Sequence, residues 1–297
     1  MRMTRYAASL AVLGLALAGC ASEAGNQAAE QTDAGVEVEQ STDFEPGTTM
    51  AELSEAGSIT VGTKFDQPGF GLLNPTTDAP DGFDVEIAKI IAAELGIAPE
   101  GIEWVETVSA NREPFLQNGQ VDMVVATYTI NDQRKELIDF AGPYYTAGQD
   151  IMVPTGNPQG IQGPEDLAGK RVCSVEGSTP AQNIRDNYPE AQLTLFDVYS
   201  KCADALANGQ VDAVTTDNVI LTGLVAGSDG GFELVGNPFT EEPYGIGVPK
   251  GDDEFRTFIN DTLEQAYESG AWADAWDRTA GAITGEPAPE PPSVDRY

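Results

Sequence analysis

The run of apolar and polar positions divides the chain into stretches of different character. Residues 6–18 are predominantly apolar, follow Arg2 and Arg5, and include no acidic residue. That is the layout of a secretory signal peptide over 1–19, too short to span a bilayer as a mature helix. Residues 21–50 are rich in Ala, Gly, Gln, Glu, Ser and Thr, with Phe44 the sole aromatic. Such a segment cannot bury enough surface to fold, which predicts a flexible tether over 20–50. From there β and α patterns alternate. Residues 58–63 form a short β-prone run, and Gly82-Phe83-Asp84 opens a segment, 85–91, that is apolar at helical spacing, with Asp84 as its N-cap. Strand then helix, repeated, predicts an α/β fold. Four prolines within 285–292 predict an extended tail over 285–297.

An internal repeat carries more information. Asn118-Gly119-Gln120-Val121-Asp122-Met123-Val124 recurs 90 residues later as Asn208-Gly209-Gln210-Val211-Asp212-Ala213-Val214, with six of seven positions identical. Leu116 and Leu206 sit at the ends of the helix-like runs before it. The glycine then ends a helix and Val-Asp-x-Val starts a strand, which predicts two lobes of similar build. Ligands of open α/β sheets bind beyond the carboxyl ends of the strands. There stand Thr127 and Thr129 in one copy, Thr216 and Asp217 in the other. A solute held between the two ends can be captured by hinge closure.

Composition narrows the function. Removal of residues 1–19 would leave 278, enough for two moderate lobes. Arg2 and Arg5 would leave with them, so 13 of the 15 basic residues would face 48 acidic ones, a net charge of −35. This argues against nucleic acid and against docking on anionic headgroups. The chain has no histidine, so a Ser-His-Asp triad, a Cys-His pair and an HExxH zinc site are excluded. No catalytic group, metal or cofactor is expected. Leu17-Ala18-Gly19-Cys20 resembles the bacterial lipobox, in which the cysteine is diacylated; the alternative is an ordinary export signal with an incidental cysteine. Two acyl chains hold a protein stably where one does not, so the resemblance implies a protein on the outer face of the cell membrane. Cys173 and Cys202 remain, and an even pair in an oxidising compartment reads as a disulfide, two free buried thiols being the alternative.

Several motifs together resemble the family 3 extracellular solute-binding proteins over about residues 57–281. They are Gly82-Phe83-Asp84-Val85-Glu86, Val121-Asp122, Thr127-Tyr128-Thr129-Ile130-Asn131-Asp132-Gln133-Arg134, Phe140-Ala141-Gly142-Pro143-Tyr144-Tyr145, Gly177-Ser178-Thr179 and Val211-Asp212-Ala213-Val214. The stretch 63–69, the Cys-Ser-Val-x-Gly-Ser-Thr-Pro at 173–180, and Cys202 are most similar to actinobacterial glutamate-binding lipoproteins. The resemblance implies a type II periplasmic-binding-protein fold with two Rossmann-like lobes on a two-strand hinge. Residues 51–148 plus 245–284 would form lobe 1 and 149–244 lobe 2, with crossings near 149–153 and 244–248. It implies a monomeric receptor of an ABC importer that delivers an acidic amino acid, glutamate or aspartate, to permease subunits.

An amino acid offers a carboxylate, an ammonium and a side chain, and each must be satisfied when it leaves water. Arg134, seven residues past Thr127, matches the family's carboxylate-binding arginine, and its planar fork can hold both oxygens. Gly177-Ser178-Thr179-Pro180 reads as a helix start whose N–H groups suit the same anion. By resemblance Asp217 meets the ammonium, with the Thr129 hydroxyl and the Thr127 carbonyl. Lys64 and Arg112 stand where family members that bind acidic ligands place basic residues for the second carboxylate, and Tyr199 adds a phenol. Two positions that hold aromatic rings in some relatives are Gln67 and Ser109 here, with Phe65 or Tyr128 as substitutes. Trp272 and Trp276, at i and i+4, read as packing rather than a sugar platform. The alternatives are a glutamine or asparagine receptor, a sensor subunit with the same site, and a dehydratase on the same scaffold.

Overall fold

The computed structural model describes residues 43–297; the expected signal peptide, Cys20 and most of the expected tether lie outside them. Ordered packing begins within the stretch read as tether. Phe44 meets Phe258 edge-on at 5.6 Å between centroids, and the Thr48 hydroxyl accepts from the Ala51 N–H to cap α1 (Thr49–Ala56). One aromatic and one helix cap anchor residues that lack the general composition to fold.

The first sheet is built from β1 (Ile59–Thr63), after which come β2 (Asp66–Gln67), β3 (Gly71–Asn74) and β4 (Ala79–Asp81) as a small antiparallel flap. Helix α2 (Phe83–Glu94) follows, then β5 (Ile102–Glu106), α3 (Arg112–Gln117), β6 (Met123–Val124), α4 (Asp132–Lys135) and β7 (Asp139–Ala147). The chain then enters the second sheet through β8 (Gln149–Pro154), β9 (Arg171–Val175), α5 (Thr179–Asn187), β10 (Gln192–Phe196), α6 (Tyr199–Ala207), β11 (Ala213–Asp217), α7 (Asn218–Ala226) and β12 (Phe232–Leu234). It returns through β13 (Glu242–Val248) and closes with α8 (Asp253–Ser269), α9 (Ala271–Arg278) and α10 (Ala280–Thr284). Strand orders are β5-β1-β6-β13-β7 and β10-β9-β11-β8-β12. In each sheet the central strands are parallel and a strand beside them runs antiparallel.

The repeat explains this likeness. Gly119 and Gly209 have φ of 63° and 66°, the left-handed geometry that ends a helix without a Cβ penalty. The aspartate three residues later then fixes the emerging strand. Asp122 Oδ2 accepts from the Thr60 N–H at 2.7 Å, and Asp212 Oδ2 from the Arg171 N–H at 2.9 Å. Each ties the repeat to the start of the neighbouring parallel strand, β1 or β9. Asp84 does not cap α2, because Gly82 holds that position. Its side chain turns inward instead, and the site depends on that.

The two passages between sheets run side by side. β7 and β13 pair antiparallel from Val248↔Asp139 to Glu242↔Ala147, with an irregularity between Tyr244 and Ile246. Around them pack Phe70, Phe83, Tyr144, Tyr145, Tyr244, Trp272 and Trp276. Trp272 Nε1 donates to the Tyr144 carbonyl at 2.9 Å and Trp276 stacks on Tyr145, so both indoles are core. In the second sheet Cys173 of β9 and Cys202 of α6 are joined, with Sγ–Sγ 2.02 Å. The tail has no regular structure but lies on the first lobe. The Asp295 N–H donates to the Gly142 carbonyl at 2.7 Å, and the Tyr297 ring lies beneath Lys135 Nζ at 3.8 Å.

Candidate functional site

The site forms where β6 and β11 run out toward each other. Beyond β6 the chain turns sharply at Thr127, φ 44°. A threonine held there is strained, and its neighbours fix it. The Thr127 N–H donates to Asp84 Oδ2 at 2.8 Å and its hydroxyl to Gln67 Oε1 at 3.0 Å. Asp84 also accepts from the Tyr144 hydroxyl at 2.5 Å. Burial outweighs these bonds and raises the Asp84 carboxyl to about 7.

Three cations stand on this wall, each at most 6% exposed. Arg112 donates to the carbonyls of Ala126 at 3.1 Å and Thr127 at 3.2 Å, and reaches the Gly177 carbonyl of the other lobe at 3.3 Å. Arg134 donates to the Thr129 carbonyl at 2.6 Å and to the same Gly177 carbonyl at 3.0 Å, and pairs with Glu113 at 3.1 Å. Both guanidiniums lie over the Tyr128 ring, at 4.2 and 5.0 Å from its centroid. That stacking orients two like charges side by side. Burial, then the charge of Arg112, lowers Arg134 to about 10. Lys64 donates to Ser109 Oγ at 2.9 Å, and burial with the nearby Arg112 charge lowers it to about 7.

The opposite wall comes from the second sheet. Ser178 caps α5, its hydroxyl accepting from the Ala181 N–H at 3.1 Å. Thr179, first in that helix, donates to Glu242 Oε2 at 2.7 Å and lies 3.2 Å from Thr129 Oγ1. Asp217 closes β11. One oxygen accepts from the Tyr244 hydroxyl at 2.6 Å, while Oδ1 is buried without a protein partner. Burial, reinforced by the charge of Glu242, raises its carboxyl to about 8. Tyr199 opens α6, and burial together with the charge of Asp217 pushes its phenol up to about 12.

Seven of the nine residues expected at the site line one cavity: Arg112, Thr127, Thr129, Ser178, Thr179, Tyr199 and Asp217. Arg134 faces the adjoining groove with Asn131, Gln182 and Arg185. Lys64 stands behind the lining and reaches it through Ser109. The aromatic substitutes do not line the cavity. Tyr128 is fully buried beneath the guanidiniums, and Phe65 faces a separate groove with Pro68 and Leu224. The bonds made by Asp84, Gln67 and Glu242 were not foreseen from sequence; Glu242 lies two residues before the return crossing expected at 244–248, and nothing in its surroundings pointed to the site. Among the described residues no group of carboxylates or cysteines could hold a metal ion, and no helix is long and apolar enough to cross a membrane. The cavity is about 10 Å³, close to the least that holds one water. Any larger ligand enters only if the walls part.

Comparison with known proteins agrees with this architecture. The sequence profile of the bacterial extracellular solute-binding proteins, family 3, matches residues 59–280. The chain is 44% identical over 249 residues to the glutamate-binding protein GluB of Corynebacterium efficiens, covering 80% of this chain and 84% of that one. It is 40% identical over 231 residues to the ABC transporter glutamine-binding protein GlnH of Bacillus subtilis, covering 77% and 84%. The solved structure of an ancestral arginine-binding protein bound to glutamine superimposes with a TM-score of 0.70 at 36% identity, covering 75% of this chain and 97% of that one. The fold is thus the type II fold of periplasmic amino-acid-binding proteins, as the resemblance implied. On the matched profile and these two curated relatives, the chain belongs to the bacterial extracellular solute-binding proteins of family 3.

Proposed function

We propose that this protein is the extracytoplasmic amino-acid receptor of an ABC importer, that its ligand is glutamate, and that lipidated Cys20 holds it at the membrane beside its permease. The observation that carries the reading is the arrangement of charge. Lys64, Arg112 and Arg134 are buried on one wall, and Asp217 with a free oxygen is buried on the other. That polarity suits an α-carboxylate and a second carboxylate against the cations, and an ammonium against Asp217.

The bonds suggest how closure couples to binding. Both arginines donate to the Gly177 carbonyl across the lobes. A ligand carboxylate is a stronger acceptor than a neutral carbonyl, so it displaces these bonds and bridges the arginines to the Thr179 N–H at the start of α5, the Ala181 and Gln182 N–H groups being held already by Ser178. Glutamine is the second reading, favoured by Lys64. A lysine held to about 7 is partly neutral at physiological pH, and a neutral amine can meet an amide.

A thermal-shift panel of glutamate, aspartate, glutamine, asparagine and arginine separates these. At 100 times its dissociation constant, the true ligand adds about 2.7 kcal/mol of stability. A shift with glutamine and none with glutamate would remove Lys64 and Arg112 from carboxylate recognition. Asp217, which burial raises to about 8 until an ammonium beside it restores the charged form, is also a group that a dehydratase would use. Recovery of unchanged ligand after prolonged incubation, measured by mass spectrometry, separates receptor from enzyme.

A further inference from the structure

Helix α6 carries Tyr199 into the cavity, yet nothing in its own sequence caps it. Val198 holds the N-cap position and has no oxygen to offer the first N–H groups. Those donors are satisfied from the other lobe. Asp66 Oδ2, in β2 of the flap, accepts from the N–H of Tyr199 at 2.7 Å and from that of Ser200 at 3.2 Å. Two residues further on, the same flap strand leads to a close backbone contact. A Cβ built on Gly223 of α7 would lie 2.3 Å from the Pro68 carbonyl oxygen, so only glycine permits the approach. Asp66, Pro68 and Gly223 do not line the cavity.

We infer that the loop Asp66-Gln67-Pro68 is a latch that seats on α6 and α7 when the lobes close, making Asp66 and Gly223 determinants of affinity that never touch the ligand. The physical basis is differential. In a closed form the N-terminus of α6 is capped and Pro68 rests on Gly223; when the lobes part, α6 loses its cap and its donors return to water. The ligand gains whatever the latch contributes to closure, because it binds the closed form more tightly than the open one. The latch also fixes the entry of Tyr199 into the site. This inference rests on the reading that the lobes open and close, but not on which amino acid is bound.

The test compares D66A, D66N and G223A in the full chain. Asparagine caps a helix about as well as aspartate, and alanine does not. Hydrogen exchange at the Tyr199 and Ser200 amides is read first, in protein saturated with whichever amino acid of the panel stabilises it, so that the lobes are closed. It is expected to be about 2- to 30-fold faster in D66A and within about twofold of the parent in D66N. Binding of L-glutamate is read second by calorimetry, with about 2- to 30-fold loss in D66A and little in D66N. For G223A the expected loss is about 5- to 150-fold, from overpacking at the contact. Alanine raises helix propensity at that position, so unchanged or higher thermal stability of ligand-free G223A shows that the loss is not misfolding. Unaltered exchange in D66A overturns the latch. Equal effects of D66A and D66N overturn it too, and assign the effect to the negative charge near Lys64. Altered exchange with unaltered affinity shows that the cap does not govern closure and overturns the inference as well. If the parent itself ignores glutamate, the assignment of ligand fails while the exchange comparison still decides the latch.

Discussion

Arg134 is where chemistry and geometry are most tightly joined. Its guanidinium is 6% exposed and held by the Thr129 carbonyl, Glu113 and the Tyr128 face, so its direction is set before any ligand arrives. Arg134→Ala is expected to cost roughly 2 to 5 kcal/mol of glutamate affinity, by leaving a carboxylate unpaired in the closed cleft. Calorimetry showing parental affinity would remove Arg134 from the ligand. Lys64 gives the sharper specificity test. Lys64→Met fills similar volume without charge, so it is expected to weaken glutamate by roughly 1.5 to 3 kcal/mol and glutamine by only about 0.5 to 1.5 kcal/mol. Competition binding with both ligands reads this directly. The sequence made the identity of these cations legible, because only 13 basic residues follow residue 19 and these three fall in recognisable motifs. It could not show that Arg112 and Arg134 share one carbonyl and one aromatic ring, since those partners lie up to 65 residues away.

At the scale of elements, the repeated helix-glycine-strand unit is the device that builds both lobes. A Cβ on Gly119 or Gly209 would meet no neighbour, yet both have positive φ. Gly119→Ala and Gly209→Ala are therefore each expected to cost about 1 kcal/mol through backbone strain alone. The two sites lie in different lobes, and their effects should add within about 0.5 kcal/mol in urea titrations. The bond between Cys173 and Cys202 closes a loop of 29 residues and links β9 to α6, the helix that presents Tyr199. Its removal by paired serine substitutions is expected to cost roughly 3 to 4 kcal/mol on the chain-entropy account. Asp84 shows why elements were easier to read than their contacts. Its position beside a helix start predicted a cap, but Gly82 takes that place and the carboxylate turns inward to hold Thr127.

For the whole molecule, buried ionisable groups add a pH dependence of their own to the self-repulsion of the acidic surface. Burial raises Asp84 to about 7 and Asp217 to about 8. Both bind a proton more tightly in the folded form, so the stability they contribute is full below about pH 4 and is lost as pH rises through 7 to 8. Lys64, lowered to about 7, works in the other sense: its contribution is full above about 10.5 and is lost as pH falls through 7. The ligand-free closed protein should therefore lose stability from about pH 4 to 7, where only the carboxylates change. Asp217→Asn should flatten that slope, as thermal unfolding across pH would show; an unchanged slope would mean that Asp217 is not buried and protonated in solution.

By itself the sequence determined the α/β class, the two-lobed plan and the site's chemical inventory. Each is written locally, in hydrophobic period, in a glycine at a helix end, or in residues just beyond a strand. Tertiary structure alone decided which groups oppose one another. Asp217 with Glu242, Arg134 with Gly177, and Asp66 with the start of α6 are pairings across lobes. Their geometry depends on how two sheets close on a shared hinge, and no local pattern encodes that distance.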